Sequence, residues 1–443
     1  MQILKRIPFF GCIVLLAYMP FHVFLSQSLS LLTGGLEEWK IAKDLLLLAL
    51  VLFTICLVFW QGKATRTFKT LLGLATVYGL LHIGLWETHP DLYKRAAELG
   101  IIYNMRLPLF AVLGLGAYLA YPVKFAFSSV TTLLLVISTI VAGLGLLQYF
   151  LPNDILTHVG YSINRGVLPS FSIDSNPLFP RIMSTLREPN ALGAYLILPT
   201  TVLSLLLFAA RDRSKRLLLG GALLLHLLAI GLTQSRSAWL GTALALAIAF
   251  LWQHQTWFMA LLRRFWYVGA AVVLVVVVGT ISIRGTHFFQ AYVIHTSTAH
   301  TSDLDSNELH WKFAKQGLEG IARQPQGHGP GSAGLASIQN PRGSFLTENY
   351  YIQIGYEVGV LGLATFVAMN AYLYRLIWKC RDLWAVVLLS SFWAYVLTNM
   401  LLHTWSNEAV AAQWWITAGL AVAVSPAAKD TYKEAPAAKR QRR

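Results

Sequence analysis

The chain has 443 residues, 56% of them hydrophobic and only 12% charged, with a mean hydropathy of +0.56. A soluble domain carries roughly 25% charged residues, so a water-soluble globule this poor in charge could not cover its own surface, whereas a surface facing lipid must be apolar. The net charge of +15 raises nucleic acid as a partner, and the three cysteines (Cys12, Cys56, Cys380) form neither a Cys-x-x-Cys pair nor a ligand cluster, which excludes a disulfide framework and a cysteine zinc site.

In chain order, apolar segments fall at 7–31, 41–60, 67–86, 99–121, 125–151, 189–209, 216–233, 236–253, 265–283, 350–374, 383–402 and 407–424. Each is near the ~20 residues that cross ~30 Å of hydrocarbon. The expected fold is therefore an all-α polytopic membrane protein with about 12 transmembrane helices. Lys5-Arg6 ahead of the first segment fits a signal peptide, but no Ala-x-Ala-like cleavage site follows, so the segment reads as a retained helix.

Charge alternates between the connections. With the N-terminus cytoplasmic, the inner segments hold Lys5 and Arg6; Lys63, Arg66 and Lys69; Lys124; Arg211, Arg213, Lys215 and Arg216; Arg263 and Arg264; Arg375, Lys379 and Arg381; and the basic tail from Lys429 to Arg443. Basic residues crowded into short connections mark the cytoplasmic side. The excess of positive charge is thus a topology signal that places both termini in the cytoplasm, and nucleic acid is not an expected partner.

Two outer connections are long, 152–188 and 284–349, and long loops in compact proteins are usually functional. The second lies before the third-last helix and is partly helical. From Asn307 to Arg323, Leu309, Phe313, Ala314, Leu318 and Ile321 form an apolar stripe. Asn307 is placed to cap that helix, and Gln324-Pro325 with Gly327 to end it. Asp303-Leu304-Asp305 spells the Asp-x-Asp pattern of many metal-dependent glycosyltransferases, but its Thr, Ser and Asn neighbours indicate a solvated turn, so no metal is expected.

Arginines at helix ends are tolerated by a bilayer, and they can face a cavity or an anion. Arg187 and Arg236 fall at the outer ends of neighbouring helices, with Arg181 and Arg284 close to such ends. Guanidinium groups around one mouth suit a diphosphate, whose oxygens accept their paired N–H groups. The plainer reading of each is a side chain snorkelling to the interface. Trp405, Trp414 and Trp415 read as an interfacial aromatic belt, and His403, Asn407 and Glu408 as residues of the outer turn able to line a cleft. Asp44 and His226 are the ionisable groups expected mid-span, and Glu357 reads as a structural hydrogen-bonding partner.

Three short runs go further: Arg187-Glu188-Pro189-Asn190-Ala191-Leu192-Gly193; Ser235-Arg236-Ser237-Ala238-Trp239-Leu240-Gly241; and Gly327-His328-Gly329-Pro330-Gly331-Ser332, followed by Glu348-Asn349-Tyr350-Tyr351 and Glu357-Val358-Gly359-Val360-Leu361-Gly362. Together, over roughly 180–365, they resemble the O-antigen ligase and O-antigen polymerase superfamily of bacterial envelope glycosyltransferases. The resemblance implies a GT-C-like membrane fold in three parts: N-terminal helices 1–151, a catalytic membrane region 152–425, and a basic tail 426–443. It implies inverting transfer or polymerisation of an oligosaccharide from an undecaprenyl diphosphate donor to a glycolipid or lipid-linked glycan. The reaction would run at the outer face of the bacterial plasma (inner) membrane in cell-envelope polysaccharide or lipopolysaccharide assembly, with no cofactor and no metal.

Carried onto this chain, Arg236 and Arg187 would hold the diphosphate, with Arg181, Arg284, Asn190 and Asn349 as further substrate contacts. Glu348 stands where ligases typically have a His and would serve as the catalytic base, against the reading of a carboxylate at a helix start. His310 is a second candidate base or phosphate contact, against that of a surface histidine. Asn307 stands where relatives often carry Arg, four residues before the Trp that matches Trp311. These departures favour a polymerase-like enzyme over a lipid A-core ligase. A lipid-linked-sugar transporter or flippase is the alternative, weakened by the lack of an internal repeat.

Overall fold

The computed structural model describes residues 2–123, 126–173, 176, 179–255, 264, 282, 306–380 and 382–424. Most of the expected span 265–283, Arg284, the Asp303–Asp305 pattern and the tail 426–443 lie outside the described residues, as do Lys124, Arg263 and Arg381.

Nine helices among the described residues are long and apolar enough to cross a membrane, and Glu408–Val424 is a shorter apolar one. In chain order the helices are α1 (Gln2–Tyr18), α2 (His22–Thr33), α3 (Leu36–Trp60), α4 (Arg66–Thr88), α5 (Lys94–Ala120), α6 (Ala126–Tyr149), α7 (Pro189–Ala209), α8 (Arg213–Leu232), α9 (Arg236–Gln253), α10 (Ser306–Arg323), α11 (Gly334–Ser337), α12 (Tyr350–Trp378), α13 (Leu383–Leu401) and α14 (Glu408–Val424). The first apolar segment is one span in two pieces. Pro20 breaks it into α1 and α2 through a 3-10 turn, and the Pro20 carbonyl accepts a hydrogen bond from Thr185 Oγ1 at 2.8 Å.

The connection 152–188 is not a loose loop. It contains the one sheet found among the described residues, an antiparallel pair of β1 (Phe171–Ser172) and β2 (Pro180–Arg181). It is tied to the N-terminal helices where Arg165 Nε donates to Gln27 Oε1 at 2.9 Å. This small sheet departs from the all-α expectation, and it carries Arg181 to the end of α8, where Ile182 N donates to the Leu232 carbonyl at 3.2 Å.

The core centres on α5 and α14. A Cβ on Gly114 would stand 2.3 Å from the Ile416 carbonyl oxygen, and one on Gly419 would stand 2.3 Å from that of Ala111, so these helices meet backbone to backbone. Small residues permit that approach, which in lipid supplies the dispersion contacts that hold helices together. Helix α14 is apolar on every face and therefore buried on every face. Here the structure corrects the sequence reading. Trp405, Trp414 and Trp415 are not an interfacial belt; they pack on one another in the core, at 2%, 0% and 0% exposure.

Helix α12 is broken at Gly359, whose φ of 72° lies in the left-handed region. The Gly-rich run 327–331 seats the break. His328 N and Gly329 N donate to the Tyr356 and Glu357 carbonyls at 2.8 and 2.9 Å, and Val360 N donates to the Pro325 carbonyl at 2.9 Å. The carbonyls and N–H that the kink releases are thus paired. The buried Glu357 carboxylate completes the joint, accepting from Asn104 Nδ2 at 2.8 Å and Gly331 N at 3.2 Å, as its structural reading expects. The third motif run is therefore a scaffold. Gly331 sits at φ 72°, and a Cβ there would meet the Ala96 carbonyl oxygen at 2.0 Å. Gly331→Ala is expected to cost about 3 kcal/mol or more, from backbone strain and overpacking together. Thermal unfolding in detergent checks this, and an unchanged midpoint would refute the joint.

Candidate active site

The first two motif runs meet through their small residues. A Cβ on Gly193 would lie 2.5 Å from Ala238 Cβ, and one on Gly241 would lie 3.0 Å from Ile197 Cδ1 of α7. This brings the N-termini of α7 and α9 together. Arg181, from β2, bridges them: its Nε donates to the Thr233 carbonyl and its Nη2 to Asn190 Oδ1, each at 2.9 Å. Arg236 opens α9, and its charge is felt at both Arg181 and His310.

A cavity beside this junction is lined by Glu188, Asn190, His310, Glu348, His403 and Asn407, among others. Three helix starts contribute to it: Glu188 holds the N-cap position of α7, Glu348 lies two residues before α12, and Asn407 precedes α14. With α9 alongside, four helix N-termini converge. Each brings the positive end of a helix dipole, which favours an anion at this end of the bundle.

Glu348 and His310 face each other, His310 Nδ1 standing 3.5 Å from Glu348 Oε2. That is longer than a normal hydrogen bond and short enough for both to engage one ligand atom. Burial, and then the charge of Glu188, push the Glu348 carboxyl up to about 7. Burial and the Arg236 charge push His310 down, and burial takes His403 down to about 4. The Glu188 carboxyl is itself raised by burial, against the pull of Arg187 and Arg181. At neutral pH the cavity thus holds neutral imidazoles beside a carboxyl poised near its midpoint, the condition for proton transfer.

Three non-glycine residues with φ in the left-handed region are found among the described residues: Ser184, Gln234 and Glu348, at 54°, 52° and 52°. All lie on the loops that carry this site. Such conformations cost of order 1–3 kcal/mol each and persist where surrounding structure enforces them. Enforcement fixes the direction of the Glu348 side chain.

Of the residues expected at the site, Arg181, Asn190, Arg236, His310 and Glu348 are brought together. Arg187 lines an adjoining cavity that shares Glu188, Leu335, His403 and Asn407 with the first. Asn349 is drawn elsewhere. It caps α12 by accepting from Ile352 N and donates to the Met400 carbonyl, both at 3.0 Å. Helix α10 forms as its stripe predicts, but rotated: Phe313, Gly317 and Ile321 face α12 and the loop before it, while Leu318 is 55% exposed. Gly317 and Gly320 allow the closer face, against Ile352 and Tyr356.

Glu188 was not singled out from the sequence, although it sits inside a quoted run. Arg106 was missed too. It pairs in a fork with Asp44 at 2.6 and 2.8 Å, which explains the mid-span aspartate. The other mid-span group, His226, is held between Ser138 Oγ at 2.9 Å and the Ala222 carbonyl at 2.8 Å.

Fold and site together define a multi-pass helical membrane protein with a cavity at converging helix starts, on which His310 and Glu348 face each other. Residues 221–367 match the family model described as O-antigen ligase, and that match supports the resemblance to the O-antigen ligase/polymerase superfamily. The match takes in Arg236, His310 and Glu348 but neither the Arg187 run nor the N-terminal helices. No curated protein matches the chain.

Proposed function

We propose that this protein transfers or polymerises oligosaccharide from an undecaprenyl diphosphate carrier, with inversion at the sugar, at the outer face of the bacterial plasma membrane. In this reading α9, α14 and the apolar segment 265–283 complete a membrane domain of about twelve spans with both termini cytoplasmic. The carrier's tail stays in lipid while its diphosphate meets Arg236, Arg181 and Arg187. The acceptor is a glycolipid or a lipid-linked glycan.

In the step itself, the acceptor hydroxyl gives its proton to the Glu348 carboxylate as its oxygen attacks the anomeric carbon. The bond from that carbon to the diphosphate oxygen breaks, and its electron pair leaves on the diphosphate. Attack opposite the leaving group inverts the centre. The arginines and helix starts stabilise the charge that grows on the leaving oxygen, a contribution often worth several kcal/mol. The observation that carries this reading is the placement of Glu348 and His310 on one cavity beside Arg181 and Arg236. Glu348 in place of the ligases' usual histidine supports the polymerase-like branch.

The test is reconstitution in liposomes with an undecaprenyl diphosphate-linked oligosaccharide, following carrier release and product size. A ladder of repeats is expected. A single transfer onto added glycolipid would make the protein a ligase, and movement of the intact lipid across the bilayer would make it a transporter.

A further inference from the structure

The second cavity, on the other side of Glu188 and His403, is built largely by helices that the family match does not cover. Its wall includes Gln27 on α2, Lys43 and Asp44 on α3, Arg106 on α5, and Ser406 and Glu408 at the start of α14. The charged groups close on one another. Beyond the Arg106–Asp44 fork, Lys43 Nζ lies 3.4 Å from Asp44 Oδ2, and Arg106 Nη1 lies 3.7 Å from Glu408 Oε2. Two cations thus face two anions; Arg187, which also lines the cavity, is left for the diphosphate, and this buried stretch of the wall is charge-balanced.

What it offers is fixed donors and acceptors at close spacing. Charged groups already paired keep N–H and lone-pair directions to spare, and hydrogen bonds to charged partners are stronger than those between neutral groups. One group is left unmatched: the Ser406 hydroxyl, on a residue 5% exposed, has no hydrogen-bonding partner in the protein. Buried polar atoms normally have one, and an exception at a cavity wall calls for a ligand or an ordered water. A polyhydroxyl compound matches such a wall, because every hydroxyl both donates and accepts.

We propose that this cavity is a glycan subsite, taking the sugar units that lie beyond the reacting one. It rests on the transferase reading above, and it assigns the N-terminal helices a part in setting product length. The shared residues Glu188, Leu335, His403 and Asn407 let a chain run from one cavity into the other.

The experiment uses the full-length protein in detergent and glycans of one and of several repeat units, released by mild acid from the lipid-linked pool of the producing cells. Equilibrium binding to wild type is expected to favour the longer glycan. Ser406→Ala, which removes one oxygen, narrows that preference roughly two- to tenfold, the worth of one neutral hydrogen bond. Leu99→Trp, which fills the cavity from its half-buried wall, abolishes the preference. Should Leu99→Trp fail to fold, the Ser406→Ala comparison still decides. Binding that ignores length in wild type, or a preference that survives in folded variants, overturns the subsite while leaving transfer intact. Length-dependent glycan binding with no transfer from lipid-linked donors would support the subsite and sink the transferase reading.

Discussion

Glu348→Gln is expected to lower the rate of glycosyl transfer by about 10²–10⁴-fold, the range that a positioned general base contributes. The amide keeps the shape and the polar contacts of the side chain but cannot take the acceptor's proton, so kcat falls more than KM rises. The wild-type rate should climb with pH through a midpoint near 7, because burial and the neighbouring Glu188 hold the carboxyl there and only its ionised form accepts a proton. Glu188→Gln removes the second of those causes and should move the midpoint to lower pH. Stability runs the opposite way to activity. A carboxyl raised from its ordinary value of 4.5 to about 7 binds its proton more tightly when folded, so its ionisation costs stability as pH rises through that window. A pH profile unchanged in Glu348→Gln would remove the residue from the proton-transfer step.

Arg236→Ala is expected to cost about 10²–10³-fold in kcat, the loss seen when one preorganised donor to a developing anion is removed. Charge grows on the diphosphate as the sugar leaves, so the loss should fall on kcat in excess of any change in donor affinity. Arg236→Lys should recover only part of it, since an ammonium group lacks the planar fork that meets two phosphate oxygens at once. Arg181→Ala is expected to disturb the packing of α7 against α8 as well as the site, because two of its N–H directions serve the Thr233 carbonyl and Asn190. Arg236→Ala is measured beside Glu348→Gln in the same liposomes. Loss of product in the first with full activity in the second would keep the anion site and discard the base.

Much of this was legible in the residues because the bilayer is a severe solvent. Spans such as 350–374 and 383–402 announce themselves by some twenty residues with at most one charged side chain, and α12 and α13 follow them closely. Local chemistry marked helix starts equally well, Pro189 in the first turn of α7 being one. Periodicity predicted α10 but not which way it faces, since Gly317 and Gly320 admit a closer packing than the larger residues of the stripe. The tryptophans of α14 misled for a related reason. A Trp in an apolar segment has the same composition signal whether it meets headgroups or a core, and only the close approach of Gly114 and Gly419 puts α14 in the middle.

The sequence by itself determined a membrane-embedded helical protein and cationic residues at helix starts, which follow from short-range rules: apolar length, capping, and the cost of charge in lipid. Arg236, His310 and Glu348 were candidates through the resemblance of their motif runs. Only the tertiary structure decided which of these groups meet. Glu348 and His310 are 38 residues apart, and Arg106 and Asp44 are 62 apart. Their pairing depends on how helices cross, which small residues on several helices set jointly and no local pattern encodes. The raised carboxyl likewise belongs to the fold, because burial and a neighbouring charge, not residue type, set where a group titrates.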